Sequence, residues 1–220
     1  MPKDRYHHGQ LRDALLDAAE LLVAEHGIDG WSLREASAGV GVAASAAYHH
    51  FASREALVSA LAERVLTGLG ERMRRSTTHA RADDPVQPLI AYARTYVRWT
   101  IENHALAAFA FAAARRIDPA TVISPHPRDV LAAVLDRLVE TGALNSRARP
   151  GAEFTVWPAV HGLAVLSGDG LIRHRSRRAA DLEAERLVRA LLTGLNDQAT
   201  PIANWPAPQT AHTERVAAQP

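Results

Sequence analysis

Two short helix-length stretches flank a glycine between Ser32 and Phe51, and that spacing limits the fold more than any other feature. Ser32-Leu33-Arg34-Glu35 has the S-x-x-E form of a capping box, which opens a helix by satisfying backbone N–H groups from two side chains. Gly41 follows soon after, so the helix is short. A sharp turn needs a residue that tolerates positive φ, and glycine does. Ala43 to His50 then supplies strong helix formers. Ser37 and Ala38 are small enough for a close helix crossing. Val42 and Phe51, with Leu33 and Leu57, are apolar enough to fill a miniature core beneath it. A helix-turn-helix over about 32–51 is the expected result.

The rest of the chain has helical periodicity and lacks alternating β-branched runs. The spacing predicts a first helix over 10–26, with Leu11, Leu15, Ala18 and Leu22 on one face and Gly27 at its end. Ser53 precedes Arg54-Glu55-Ala56-Leu57 and caps a longer helix to about Arg75 that links two regions. Beyond Asp83-Asp84-Pro85, aromatic residues recur at helical spacing. Further helices are expected over 128–140, over 152–167 with Pro158 inside, and over 178–196. The fold class is therefore all-α. The expected domains are a DNA-binding unit over 1–66 and a helical bundle over 67–198. Residues 199–220, rich in Pro, Ala and Thr, read as a disordered tail.

Composition narrows the setting. The chain has no cysteine, which excludes disulfides and thiolate metal sites and makes a reducing cytoplasm the expected home. The polar, His-containing start lacks the apolar run of a signal peptide. The longest apolar stretch stops at Arg115-Arg116, too short for a membrane span, so no membrane partner is expected. Net charge is +1, and the first 56 residues carry five basic against eight acidic side chains, a balance of −3. Bulk charge therefore does not argue for nucleic acid. Any DNA binding must come from which face carries which group.

A helix-turn-helix projects the start of its second helix into the major groove. Ser32-Leu33-Arg34-Glu35, Gly41-Val42, Tyr48-His49-His50-Phe51 and Ser53-Arg54-Glu55-Ala56-Leu57 follow one another in fixed order. They are preceded by Tyr6-His7-His8-Gly9-Gln10-Leu11-Arg12 and Leu15-Leu16-Asp17-Ala18-Ala19. Together these pieces resemble the tetracycline-repressor (TetR) family over roughly residues 6 to 65. Trp157-Pro158-Ala159-Val160-His161-Gly162-Leu163 resembles the Trp…His-Gly signature of one subgroup.

The resemblance implies a dimeric repressor that holds a palindromic operator in double-stranded DNA and is released by a small molecule of unknown identity. It implies DNA contacts at Arg34, Ala43, Ala44, Ser45, Tyr48 and His49. Arg54 stands at a helix N-terminus, where cation and N–H groups both suit a phosphate. Lys3 and Arg5 stand where a basic arm reaches the backbone or a minor groove. The chain departs from the family at Ala43, where Ser or Thr usually caps the recognition helix. The missing hydroxyl costs about 1 kcal/mol of helix stability. The short Ala-rich helix offers few donors, so readout is expected to lean on thymine-methyl contacts, Tyr48, His49, Arg34 and DNA shape.

Tyr92, Tyr96, Trp99, Phe109 and Phe111 read either as core or as the wall of a ligand pocket, with His104, Trp157 and His161 as its polar groups. His161-Gly162 serves equally well as dimer packing. Val160, Leu163, Leu187, Leu191 and Leu195 are the dimer candidates, two helices from each subunit forming a four-helix interface.

Other chemistry finds little support. His49 and His50 are adjacent on a helix and point about 100° apart, so they do not chelate a metal. Gly39-x-Gly41-x-x-Ala44 formally fits a dinucleotide fingerprint but follows a helix rather than a strand. No catalytic motif and no cofactor signature is present, so no enzyme activity is expected. The alternatives are a ligand-independent regulator or activator of the same family, or a small-molecule binder with a vestigial head.

Overall fold

Leu15, Leu16, Ala19 and Val23 lie on one side of α1 (His8–His26) and are buried against the helices that follow. The computed structural model describes residues 8–81, 83–114, 117 and 121–197. Among them the chain forms nine α-helices and no strand. The α1 stripe is rotated from the expected one. Leu11 and Leu15 are buried, but Ala18 and Leu22 only edge the core. Both stripes obey helical spacing. Contact with α2, α3, α4 and α6 selects between them.

Helix α2 (Leu33–Val40) and helix α3 (Ala44–Tyr48) complete the head with the start of α4 (Arg54–Thr78). Helix α4 has 25 residues, which spans about 37 Å at 1.5 Å per residue. The expected domain boundary after residue 66 falls in its middle, so one helix belongs to both units. Leu57 and Leu61 are buried near its start, and Leu69 and Met73 nearer its end. Arg64 ties α4 to α1, donating to Asp17 (2.6 Å) and Glu20 (2.7 Å).

Helix α5 (Gln87–Glu102) turns back beside α4, since Pro88 near its start shares a recess with Thr77 and Thr78 at the end of α4. Its last residues therefore return toward the head. There α6 (His104–Ala113) begins and packs on α1 and α4. The segment that leads into α7 (Pro127–Glu140) approaches α4 so closely that a Cβ on Gly70 would stand 1.9 Å from the Pro125 carbonyl oxygen. Glycine is required there by space rather than by φ.

Helices α8 (Ala152–Gly168) and α9 (Arg177–Asp197) cover α5 and each other. Pro158 sits inside α8 as expected, at an exposed position. Arg94 donates to Glu185 (2.5 Å), Arg98 to Asp181 and Arg177 to Glu102, a ladder that runs α9 antiparallel to α5. The expected tail over 199–220 lies outside the described residues.

Candidate functional site

The head is assembled by short-range bonds. The Ser32 backbone N–H donates to Glu35 Oε2 at 2.7 Å, and the Glu35 N–H donates to Ser32 Oγ at 3.2 Å, completing the capping box. The Ser32 hydroxyl bond holds the Glu35 carboxyl below its ordinary value of 4.5. Gly41 ends α2 with φ of 78°, and the N–H groups of Gly41 and Val42 donate to Ala38 and Ser37 (both 3.0 Å). The Ser37 hydroxyl, buried at the crossing, donates to the Leu33 carbonyl at 2.7 Å.

Helix α3 has five residues and starts at Ala43, which makes no side-chain cap bond. What holds α3 is packing. Ala47 and Phe51 are buried inward. Ala43, Ser45, Tyr48 and His49 face outward, with Ala44 half-buried between them. Tyr48 is 51% exposed, a large ring left in water at the end of the recognition helix. Arg34 is exposed on α2. Five of these six residues are open to water, and Ala44 is half-buried. Lys3 and Arg5 lie outside the described residues.

Arg54 is a correction. Its guanidinium does not stand out at the helix N-terminus. Nε donates to the Trp31 carbonyl (2.9 Å), a terminal nitrogen donates to the Ile28 carbonyl, and the group lies 4.7 Å from the centre of the Trp31 ring. The carbonyls left open after α1 take the cation. Arg54 thus clamps α4 to that turn, with two of its N–H groups directed inward to backbone carbonyls. Ser53 caps α4 as expected, accepting from the Ala56 N–H at 3.2 Å. Arg12, passed over in the sequence, is exposed and lies 5.3 Å over the Phe51 ring. Its position one turn into α1 was the available signal.

The bundle aromatics divide. Tyr96, Phe111, Trp157 and His161 converge. The Tyr96 hydroxyl and His161 Nδ1 are 2.9 Å apart. The Tyr96 and Phe111 rings stack at 6.0 Å, and His161 meets Phe111 edge-on at 4.8 Å and Trp157 at 5.6 Å. Burial holds the His161 pKa below 6.5 and pushes the Tyr96 phenol well up, against a hydrogen bond with Trp157 that lowers it. Both groups are thereby biased toward their neutral forms. Tyr92 stacks behind Tyr96, and its buried hydroxyl has no hydrogen-bond partner. Trp99 and Phe109 are buried in the core. His104 leaves the group altogether. It is exposed at the start of α6 and stands 3.6 Å from Asp169.

The dimer candidates also divide. Val160 (0% exposed) and Leu195 (3%) are interior to the protomer, because α8 and α9 turn those positions onto α5 and each other. They are corrected from interface to core. Leu163, Leu187 and Leu191 are half-buried. On α8, α9 and the turn between them the exposed large apolar residues are Phe154, Trp157, Leu166, Leu171, Ile172 and Leu182, most of which the sequence does not single out.

The outer side of α3 carries methyl groups, a hydroxyl and an open tyrosine, and the second helix of a helix-turn-helix is the one that enters the major groove. The protein is a DNA-binding transcriptional regulator of the helix-turn-helix class. The family model described as bacterial regulatory proteins, tetR family, matches residues 15–61. A tetracyclin repressor-like C-terminal domain matches residues 89–194. Together they cover more than half of the chain, which belongs to the TetR family.

Among solved structures, a protein of unknown function from Rhodococcus sp. RHA1 is 24% identical with a TM-score of 0.75, covering 88% of this chain and 100% of that one. A putative transcriptional regulator from Pseudomonas aeruginosa PAO1 is 21% identical with a TM-score of 0.70, covering 87% and 95%. RolR, solved in complex with resorcinol, is 20% identical with a TM-score of 0.55, covering 89% and 97%. These likenesses show the fold. No curated protein matches the chain.

Proposed function

We propose that the chain is a cytoplasmic homodimeric repressor that holds a palindromic operator and lets it go when a small molecule enters the bundle. The observation that carries this reading is the Tyr96–His161–Trp157–Phe111 cluster. It joins a buried hydroxyl and a neutral imidazole to an apolar wall, which is the composition of a small-ligand site. RolR was solved with resorcinol, so a small hydroxylated aromatic is the first class to test. A ligand shifts the protein only by its difference in affinity for the two spacings of the heads.

The dimer reading draws on the outward faces of α8 and α9. Ala159, Leu163, Leu166, Ile172 and Leu187 line one groove between them, and Trp157 and Phe154 continue the α8 face. A second copy laid on this face buries both and sets two α3 helices about 34–36 Å apart, one turn of DNA. Arg34, Ala43, Ala44, Ser45, Tyr48 and His49 are the proposed DNA contacts. A ligand-independent regulator is the second reading, favoured by the burial of Tyr92, Trp99 and Phe109 in the core.

The test is a selection of the purified full chain against random duplex DNA, repeated across salt concentrations and with resorcinol added. A palindromic winner with a steep salt slope and weaker binding in resorcinol is expected. No enriched sequence at low salt, with no small molecule released on denaturation, would overturn the operator reading. A palindrome whose affinity no ligand of a hydroxylated aromatic panel alters would leave the ligand-independent regulator.

A further inference from the structure

The turn from α8 to α9 carries the densest positive run of the chain, Arg173-His174-Arg175-Ser176-Arg177-Arg178, with no acidic residue in it. It folds against the last turn of α5. Between these elements lies a recess of ≈ 500 Å³ lined by Arg98, Arg173 and Arg177 together with Ile101, Ile172 and Ala180. Arg98 is matched by Asp181 and Arg177 by Glu102. Among the described residues no carboxylate pairs with Arg173. Three cations facing two carboxylates leave one positive charge in the lining. The first turn of α9 adds to it, because that turn has no acidic residue to offset the positive end of the helix dipole.

The wall is held in place before any ligand arrives. The Ser167 hydroxyl donates to the Leu163 carbonyl (2.6 Å) and meets His174 Nε2 at 2.8 Å, which ties the turn to α8. We infer that this recess binds a small amphipathic carboxylate, its charge on Arg173 beside the Glu102-paired Arg177 and its apolar body on Ile101, Ile172 and Ala180. A single carboxylate balances the one unmatched charge, and the isoleucines fit a hydrocarbon body rather than a bare anion. The recess is separate from the aromatic cluster and does not depend on it. It lies where α5 hands over to α6, and α6 packs on α1 of the head, so an occupant would sit at the seam between the two units.

Calorimetric titration of the full chain with octanoate, octan-1-ol and inorganic phosphate tests the assignment. One octanoate per chain is expected, with octanol and phosphate each at least about tenfold weaker, since one charge-assisted bond is worth that factor. Arg173→Ala and Arg173→Ala/Arg177→Ala should weaken octanoate by about tenfold or more with helix content unchanged by circular dichroism. Ile101→Asp should weaken it as well.

The inference is overturned by absence of saturation at millimolar octanoate, or by octanol or phosphate binding equally well. It is also overturned if octanoate affinity follows His161→Gln rather than the arginines, which would move the ligand to the aromatic cluster. If the arginine variants instead lower only the salt slope of DNA binding, the run contacts phosphates and the carboxylate site falls.

Discussion

The head and the bundle hold their helices by different means. In the head, α2 is fixed by a two-way capping box and a left-handed Gly41, and α4 starts from a Ser53 cap and the Arg54 clamp. In the bundle, His126 and Ser176 cap α7 and α9, but α5, α6 and α8 begin with no side-chain cap bond. Their order comes from burial of Tyr92, Tyr96, Phe109 and Val156 and from the arginine ladder between α5 and α9. A small unit buries too little apolar surface to order short helices unaided, so local bonds matter more there. Helix α3 departs from its own region. It lacks a cap and depends on Ala47 and Phe51 beneath it.

Substitutions can break or sharpen this contrast. The largest loss should follow Phe109→Ala, about 3–5 kcal/mol from the denaturation midpoint, because the site is deep in the bundle. A loss near that of a surface change would contradict the dominance of burial there. Arg54→Ala should cost about 2 kcal/mol of head stability, since two carbonyls lose a charged donor. Its salt slope for DNA binding should hold, whereas Arg34→Ala should leave stability alone and reduce that slope by about 0.9. The opposite pattern would return Arg54 to the phosphates.

Gly41→Ala forces a side chain into the left-handed region and should cost about 1–2 kcal/mol, read as weaker protection of head amides in hydrogen exchange. Ala43→Ser should do the reverse, slowing exchange across α3 by about 1 kcal/mol. An unchanged rate would mean that packing alone already holds the helix.

The smallest effect is a pH dependence. Burial lowers the His161 pKa from 6.5, so the unfolded chain binds the proton more readily than the folded one. The stability associated with neutral His161 is complete above 6.5 and declines as pH falls below it. Thermal melts between pH 7.5 and 5.5 should show that decline, and His161→Gln should reduce it, leaving the part contributed with the same sign by His126, which burial also holds below 6.5. Equal slopes in the two proteins would place the titrating group elsewhere.

Much of the head was legible because its signals are local. Ser32 and Glu35 are three residues apart, Gly41 acts through its own φ, and Ser53 acts on Ala56. The bundle was legible only as a set of helices. The aromatics at helical spacing split into a polar cluster, three core residues and an exposed His104, since spacing says which side chains share a face and not what covers it.

Sequence by itself determined the helices, the turn that makes a helix-turn-helix, the missing cap at Ala43 and the family. All of these rest on interactions between near neighbours or on their order along the chain. Tertiary structure alone decided which stripe of α1 is buried, that Arg54 turns inward to Trp31, and that Val160 and Leu195 belong to the core. It also decided that Arg98, Arg173 and Arg177, from two distant segments, line one recess. A helix offers several apolar faces of similar quality, and a long cation reaches in many directions. Only the neighbour that packs against it selects one.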